Sequence, residues 1–192
     1  LYQSGIILSR KDKHDEAITR FEKLLEIEPA RHEALFTLGV ALGAVDRTRE
    51  AIACYRNILE TTPNHVLTLN NLGLLLNERG EIEQAIDTFR KAIEIRPDLD
   101  GPHWNLSHAL LLTGNLEAGW KEFEWRLRKD DWRMANLRHC KVPLWKGESF
   151  AGKTLFIHDE QGLGDTIQFI RYLPMAKARG GNIIFETQEP MI

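Results

Sequence analysis

The sequence is poor in cysteine, in long hydrophobic runs and in excess charge, and each shortage excludes a class of protein. Two cysteines, Cys54 and Cys140, cannot build a disulfide framework, so a reducing, cytoplasmic setting is expected. No apolar run approaches the roughly 18–20 residues that cross a membrane. The net charge of -3 offers no electrostatic surface for nucleic acid. The seven histidines have no spacing typical of a zinc site, so no metal is predicted.

What the sequence does contain is an internal repeat with a period of 34 residues. A glycine, an alanine, an aromatic residue and a proline recur in the same order in successive repeats. The matching positions are Gly5, Gly39, Gly73 and Ser107; Ala17, Ala51, Ala85 and Gly119; Phe21, Tyr55, Phe89 and Phe123; and Pro29, Pro63 and Pro97. Four registered positions at one period indicate stacked copies of one supersecondary unit.

Each repeat is predicted to be a pair of helices, which we call helix A and helix B. In the third repeat, "VLTLNNLGLLLNERG" is helix A and ends at Gly80, and "EIEQAIDTFRKAIEIRP" is helix B and ends at Pro97. The small residues allow the two backbones to approach closely, and the aromatic residue fills the space beside helix B.

These residues resemble the tetratricopeptide repeat over residues 1–130. The resemblance implies a mainly α fold, a right-handed solenoid of about four helix pairs whose first repeat is incomplete, and a protein- or peptide-binding scaffold. The fourth repeat departs from the pattern, because Ser107 and Gly119 replace the glycine and the alanine and Asp131 replaces the proline. Such departures are typical of a terminal repeat that packs against a neighbouring part of the protein.

In the family that the repeats resemble, the A helices line a concave groove that holds a peptide. Two positions before the recurring glycine lies one polar residue per repeat: Gln3, Thr37, Asn71 and Asn105. An asparagine amide carries both donors and an acceptor, so it can pair with a peptide backbone. The candidate groove residues are these four with Asn70, Asn77, Trp104 and His108. The alternative is that the asparagines bond to the adjacent helix and contact no ligand.

The region between the repeats and residue 153 is rich in tryptophan. Trp120, Trp125, Trp132 and Trp145 are four of the five tryptophans, and residues 131–152 are predicted to be a junction. Leu116, Trp120, Phe123 and Leu127 share one helical face. Packing of the last repeat against the next segment of the chain is favoured over a ligand-stacking aromatic site.

Residues 153–192 are predicted to form a partial α/β segment of the Rossmann-like β-α-β kind. "KTLFIHDE" and "NIIFET" are predicted strands, and the helix between them is bent or interrupted by Pro174. A crossover of this kind pairs its two strands in parallel.

The turn "HDEQGLGDTIQF" has three alternative interpretations. Gly162 and Gly164 fit a dinucleotide fingerprint, with Glu186 as the acid, but Ile167 occupies the third glycine position. Asp165 with Gln168 three residues later can instead cap the helix without any ligand.

The third interpretation comes from a resemblance to bacterial proteins that join such repeats to a glycosyltransferase-like domain. "GDTI" also resembles the heptosyltransferase family, which has the two-domain GT-B architecture. That resemblance implies that Asp165 is the acceptor-side general base, with His158 and Glu160 as nearby alternatives. It implies a nucleotide-sugar as the cofactor of a full-length parent, and none in this chain.

Two strands and one helix are too few for a stable sheet, and both strands expose edges. We therefore expect this chain to be an inactive fragment of a longer protein, with the repeats as its working part. Homodimerisation through the exposed β-α-β unit is the alternative way to cover it. A nucleotide-binding unit of another chemistry also remains open.

Overall fold

The computed structural model of the chain describes residues 1–128, 145–158 and 163–186. It contains two compact parts, which we call the repeat module (residues 1–129) and the strand module (residues 130–192). The finer division into residues 1–130, 131–152 and 153–192 stays a prediction.

The repeat module consists of helix pairs, one pair for each repeat. The helices are α1 (Tyr2–Ser9), α2 (His14–Ile27), α3 (His32–Ala44), α4 (Thr48–Thr61), α5 (Val66–Glu78), α6 (Ile82–Ile95), α7 (Asp100–Leu112) and α8 (Leu116–Phe123). A 3-10 helix, Glu124–Arg128, continues from α8. The predicted solenoid of helix pairs is confirmed, and in the third repeat each helix ends two residues before the predicted Gly80 and Pro97.

The two helices of a repeat differ in how much of their surface is apolar. Helix α6 buries one stripe, Ala85, Ile86, Phe89 and Ala92, and leaves its other side charged. Helix α3 buries a broader face, which spans roughly 160° at 3.6 residues per turn and consists of Ala34, Leu35, Leu38, Gly39, Ala41 and Leu42. An A helix therefore contacts both the B helix of its own repeat and the B helix of the preceding repeat, as α3 contacts α4 and α2.

The turn from helix A to helix B is the same in all four repeats. Its left-handed residues are Asp12, Asp46, Gly80 and Gly114, at φ values of 57, 59, 78 and 79°. In the second repeat the Arg47 N–H donates to the Leu42 carbonyl at 2.9 Å, and the other three repeats make the equivalent bond. This is the Schellman ending of a helix, in which a left-handed residue lets the last carbonyls be satisfied.

A glycine on helix A lies against the ring of an aromatic residue on helix B in each of the first three repeats. A Cβ atom added at Gly39 would lie 2.5 Å from Cε1 of Tyr55, which is closer than real Cβ contacts. The equivalent distances are 2.6 Å for Gly5 against Phe21 and 2.5 Å for Gly73 against Phe89. All three rings are buried. The glycine thus fixes how closely the two helices pack.

The fourth repeat makes its close approach at a different point. Ser107, in the glycine position, is fully buried and donates from Oγ to the Trp104 carbonyl at 2.6 Å. Phe123 is only half-buried. The close contact has moved to Gly119, where an added Cβ would lie 2.8 Å from Cγ of Leu111. In this repeat the glycine in the alanine position, Gly119, thus provides the close approach that Ser107 cannot provide in the glycine position.

The apolar face predicted for helix B of the fourth repeat is not buried as expected. Helix α8 ends at Phe123, and Trp120 and Leu116 are 49% and 57% exposed. In the earlier repeats the position of Trp120 holds Ile18, Ile52 and Ile86, which are buried. The side chain of Leu127 lies outside the described residues.

The strand module contains one strand–helix–strand crossover. Its elements are β1 (Thr154–His158), α9 (Leu163–Phe169), a 3-10 turn (Ile170–Tyr172), α10 (Leu173–Lys177) and β2 (Asn182–Glu186). The strands are parallel, in register from Thr154 opposite Asn182 to His158 opposite Glu186. The interruption before Pro174 is as predicted. The described residues hold these two short strands alone, which does not establish a Rossmann-like domain.

Large apolar side chains of the strand module are exposed. Phe156 and Ile184 lie opposite each other in the strand register and are 46% and 55% exposed. Ile167 and Met175 on the connecting helices are exposed as well. On the other face of the sheet Leu155, Ile157, Ile183 and Phe185 are half-buried. The sheet therefore has one partly covered face and one open face.

The glycine–aromatic contact predicts a contrast between two glycines of α3. Gly39→Ala should lower the free energy of unfolding by about 1–3 kcal/mol, because the new methyl group overlaps the Tyr55 ring. Gly43→Ala should leave it unchanged or raise it by up to about 1 kcal/mol, because its Cβ meets only Leu75 Cδ2, at 3.6 Å. Urea unfolding of both variants measures the difference, and equal effects would contradict the packing described.

Candidate functional site

The A helices of successive repeats contact one another and form one continuous surface. Helix α1 contacts α3, α3 contacts α5, and α5 contacts α7. Positions 34 residues apart therefore line up as rows across these helices. We call three of these rows the inner face: Tyr2, Phe36, Asn70 and Trp104; Gln3, Thr37, Asn71 and Asn105; and Ile6, Val40, Leu74 and His108.

The inner face has one row that is aliphatic in the first three repeats, Ile6, Val40 and Leu74, beside two rows of aromatic and polar side chains. Its rows contain no lysine, arginine, aspartate or glutamate. Val40 and Leu74 are 43% and 36% exposed although both are aliphatic. Phe36 is half-buried and packs against the rings of Tyr55 and His65, with centroids 5.9 and 5.8 Å apart. Exposed aliphatic side chains beside anchored aromatic rings are typical of a protein-binding surface.

The predicted polar row does not behave as four equivalent side chains. Gln3 is exposed. Thr37 donates from Oγ1 to the carbonyls of Glu33 and Ala34 in its own helix, at 2.8 and 3.2 Å. Its hydroxyl hydrogen is thus used within α3.

Asn71 and Asn105 both bond to neighbouring helices, which was the alternative to ligand contact. Asn71 Nδ2 donates to Tyr55 Oη at 3.4 Å, across to helix α4. Asn105 Nδ2 donates to Asn70 Oδ1 at 2.8 Å, from α7 to α5. The Asn70–Asn105 pair joins two A helices side by side on the inner face. The sequence identified both residues as candidates and gave no sign of their pairing.

Tyr55 connects this row to the packing of the repeat. Its ring fills the space over Gly39 while its hydroxyl accepts from Asn71. Burial raises the pKa of Tyr55 to about 12, and the bond from Asn71 lowers it in part. Burial likewise raises the pKa of the nearby Cys54 thiol to about 11, so this free cysteine is a poor nucleophile at neutral pH.

Asn77 lies one turn beyond Leu74 on α5. Its Oδ1 atom is buried and accepts no hydrogen bond among the residues that the structure describes. A buried amide oxygen without a donor is costly. It follows Asn70 by about two turns of the helix.

Trp104 and His108 belong to an aromatic cluster at the fourth repeat. The His108 Nδ1–H donates to the Trp104 carbonyl at 2.8 Å, and the two rings lie 4.5 Å apart. Phe123 stacks on Trp104 at 5.1 Å, and the Arg126 guanidinium lies 4.5 Å from the centre of the Phe123 ring. The sequence missed Phe123 and Arg126, because in the first three repeats the equivalent aromatic residue is buried.

The predicted glycine turn is described only in part. Gly162 and Glu160 lie outside the described residues, as does the side chain of Asp165, so its capping of α9 stays a prediction. A Cβ at Gly164 would meet nothing within 4 Å. His158 at the end of β1 is half-buried and stacks on Phe156 with centroids 6.0 Å apart, opposite the exposed Glu186.

The described part of the chain contains neither a membrane-spanning helix nor a cluster of metal-ligating side chains. Among its helices there is none that combines the length and the apolar character needed to cross a bilayer. The same residues contain no cluster of three histidine, cysteine or acidic side chains that could hold a metal ion.

The helix pairs and the inner face define a helical-repeat scaffold. Models of the tetratricopeptide repeat match residues 1–31 and residues 30–98, which together make up about half of the chain. The chain belongs to the tetratricopeptide-repeat family and is a protein-binding scaffold of that class. Protein FlbA from Caulobacter vibrioides is 34% identical over 67 residues, which are 34% of this chain and 11% of FlbA. The match thus spans about a tenth of that protein's length.

Solved structures support the same fold. MamA from Desulfovibrio magneticus RS-1 superposes with a TM-score of 0.62 and 22% identity, over 68% of this chain and 76% of MamA. The tetratricopeptide-repeat domain of Sgt2 from Aspergillus fumigatus gives a TM-score of 0.56 and 18% identity, over 60% of this chain and 78% of that domain. At these identities the likeness concerns the fold.

The raised pKa of Tyr55 predicts a loss of stability at high pH. Folding holds the phenol neutral, so its contribution is complete below the ordinary value of 10 and is lost as the pH rises towards about 12. Between these pH values the free energy of unfolding should fall more steeply for the wild type than for Tyr55→Phe, which has no ionisable group there. Urea unfolding at a series of pH values compares the two proteins. An equal fall of the free energy of unfolding in both would contradict the raised pKa of Tyr55.

Proposed function

We propose that the inner face binds a segment of a protein partner and that the Asn70–Asn105 pair holds the backbone of that segment. The observation that carries this proposal is a bridged pair of amides beside exposed aliphatic side chains, in rows that contain no lysine, arginine, aspartate or glutamate. The wider candidate set consists of Gln3, Asn71, Asn77, Trp104 and His108. Thr37 lies in the same row but is expected to make no hydrogen bond to the ligand, because its hydroxyl hydrogen is used within α3.

The amide pair retains hydrogen-bonding capacity after its internal bond is made. That bond uses one donor of Asn105 and the oxygen of Asn70 as an acceptor. The bond does not use the oxygen of Asn105 or the two donor hydrogens of Asn70. A peptide group needs one donor and one acceptor, so the pair suits main-chain recognition without dependence on the ligand's side chains.

The apolar row supplies the selectivity for the ligand. Val40 and Leu74 lie in the same row in neighbouring repeats, and burying both on binding removes aliphatic surface from water. The lack of lysine and arginine in the three rows disfavours a ligand recognised by its C-terminal carboxylate. We therefore propose a segment whose apolar side chains lie over α3 and α5 and whose backbone lies over Asn70 and Asn105.

This proposal predicts a contrast within one row of the inner face. Against a peptide selected on the wild-type chain from a random library, Asn105→Ala should weaken binding about tenfold, since it removes an amide at the contact and frees Asn70. Thr37→Ala is the matched control, because its hydroxyl hydrogen is bonded within α3, and it should leave the affinity unchanged. Isothermal titration measures both.

The apolar contact is tested by a charge in the same groove. Leu74→Glu should abolish binding of the same peptide while circular dichroism stays that of the wild type, because Leu74 is partly exposed. Unaltered affinity in both Asn105→Ala and Leu74→Glu would exclude the inner face as the binding site.

A second candidate function concerns a longer protein that contains this chain. The parallel β1–β2 pair with its helical crossover is consistent with the first strand–turn–helix of a glycosyltransferase-like domain. Asp165 then acts as the acceptor-side base, and a nucleotide-sugar is bound by a further domain. Further strands of such a domain, or a second copy of the chain, would cover Phe156 and Ile184. A cytoplasmic setting is part of this proposal, since Cys54 is a free thiol.

The transferase proposal is tested on two proteins. Isothermal titration of this chain with a panel of nucleotide-sugars should give no binding, because the described residues of the strand module form only one two-stranded sheet. The protein encoded by the whole gene should transfer a sugar from one of them, and Asp165→Asn should lower kcat about a hundredfold or more with little change in the donor KM. Full activity of Asp165→Asn, or micromolar binding by this chain, would contradict the assignment.

A further inference from the structure

The fourth repeat carries a histidine where the second and third repeats carry a buried leucine. Leu35 and Leu69 are 8% and 3% exposed, and His103 at the matching position is 5% exposed. The B-helix position that faces it differs as well, because Glu122 stands where the earlier repeats have Arg20, Cys54 and Thr88. A buried apolar side chain has thus been replaced by one that hydrogen-bonds to the B helix of its own repeat.

His103 is enclosed on three sides. Its Nδ1 lies 2.5 Å from Oε2 of Glu122 on α8, and its Nε2 lies 3.0 Å from the carbonyl oxygen of Pro97. Its ring stacks on Trp125 of the 3-10 helix, with centroids 3.7 Å apart and planes 7° from parallel. The contacts join the start of α7, the end of α8 and the following turn.

Both ring nitrogens face atoms that can only accept a hydrogen bond. A carbonyl oxygen and an ionised carboxylate have no hydrogen to donate, whereas a neutral imidazole has only one N–H. With Nε2–H donated to Pro97, the Nδ1–Oε2 contact needs one further proton. The two groups hold this proton between them. Without it, a lone pair on Nδ1 would face the carboxylate.

We infer that this shared proton holds α8 and the 3-10 helix against α7. The packing of the last helix pair of the solenoid therefore depends on pH. With the proton present, the contact is a charge-assisted hydrogen bond, and the positive ring is stabilised by the face of Trp125. When the pH rises and the proton is lost, both terms disappear and the end of the repeat module loosens. The leucine of the second and third repeats provides no such dependence.

Among the residues that the structure describes, the other charged groups of the elements packed against His103 are engaged elsewhere or exposed. On α7, Asp100 lies three residues before His103. In the loop before α7, Arg96 and Asp98 form an exposed pair with each other at 3.1 Å. On the 3-10 helix Arg126 pairs with Glu124 and covers Phe123. Helix α6 contributes buried apolar residues, while its charged side chains, among them Arg90, are exposed.

The protonation state is tested directly on the unaltered chain. Nitrogen NMR of the histidine side chains should give a His103 signal typical of hydrogen on both nitrogens near pH 6. Above about pH 8 that signal should shift as the pair loses its proton. A singly protonated, neutral His103 ring near pH 6 would overturn the inference, whatever the behaviour of variants.

The loosening of α8 and the 3-10 helix is tested by hydrogen exchange of the amides of residues 116–128. Their exchange is normalised to that of the amides of α5 and α6 in the same sample. Protection of this segment should fall about tenfold relative to α5 and α6 between about pH 6 and pH 9, the size expected for one charge-assisted bond. His103→Leu, which restores the residue of the second and third repeats, should remove that dependence. A dependence of the same size in His103→Leu would show that another group is responsible.

Discussion

The packing of helix A against helix B depends on one contact, a glycine lying under an aromatic ring. In three of the four repeats a ring carbon lies only 2.5 or 2.6 Å from the point that a Cβ atom would occupy. Because protein interiors are close-packed, this contact fixes the distance between the two helices and hence the positions of their neighbours. The turn with the left-handed residue has the same geometry in all four repeats, so their A helices have the same orientation. The rows of the inner face are a consequence of that regularity.

The fourth repeat lacks this glycine–aromatic contact and packs through different contacts. Ser107 prevents a ring from lying over the backbone, so Phe123 moves outward onto Trp104, and Gly119 takes over the close approach. The leucine position becomes His103, bound between Glu122 and Trp125. The end of the solenoid therefore relies on polar and aromatic contacts where the first three repeats rely on apolar packing. The inner face changes in the same place, because His108 follows Ile6, Val40 and Leu74 in the aliphatic row.

Much of the repeat module could be predicted because period and side-chain size are local properties of the sequence. The positions of Gly39, Ala51 and Tyr55 are enough to place two helices and the contact between them. Side-chain partners could not be predicted in this way. Asn105 reaches Asn70 only because consecutive A helices lie side by side, and Trp120 is exposed because no further helix pair of the described solenoid covers it. The strands were found from their apolar runs, whereas the domain to which they belong could not be derived from two strands.

The central claim, that the glycine–aromatic contact sets the spacing of each repeat, is tested most directly by a double-mutant cycle. Gly39→Ala is measured in the wild type and in a Tyr55→Leu background by urea unfolding, with Gly43→Ala as the control in both. The account predicts that Gly39→Ala is destabilising in the wild type and close to neutral beside the smaller side chain, so that the two changes are not additive. An equal loss in both backgrounds would contradict it, because the cost would then not arise from the ring.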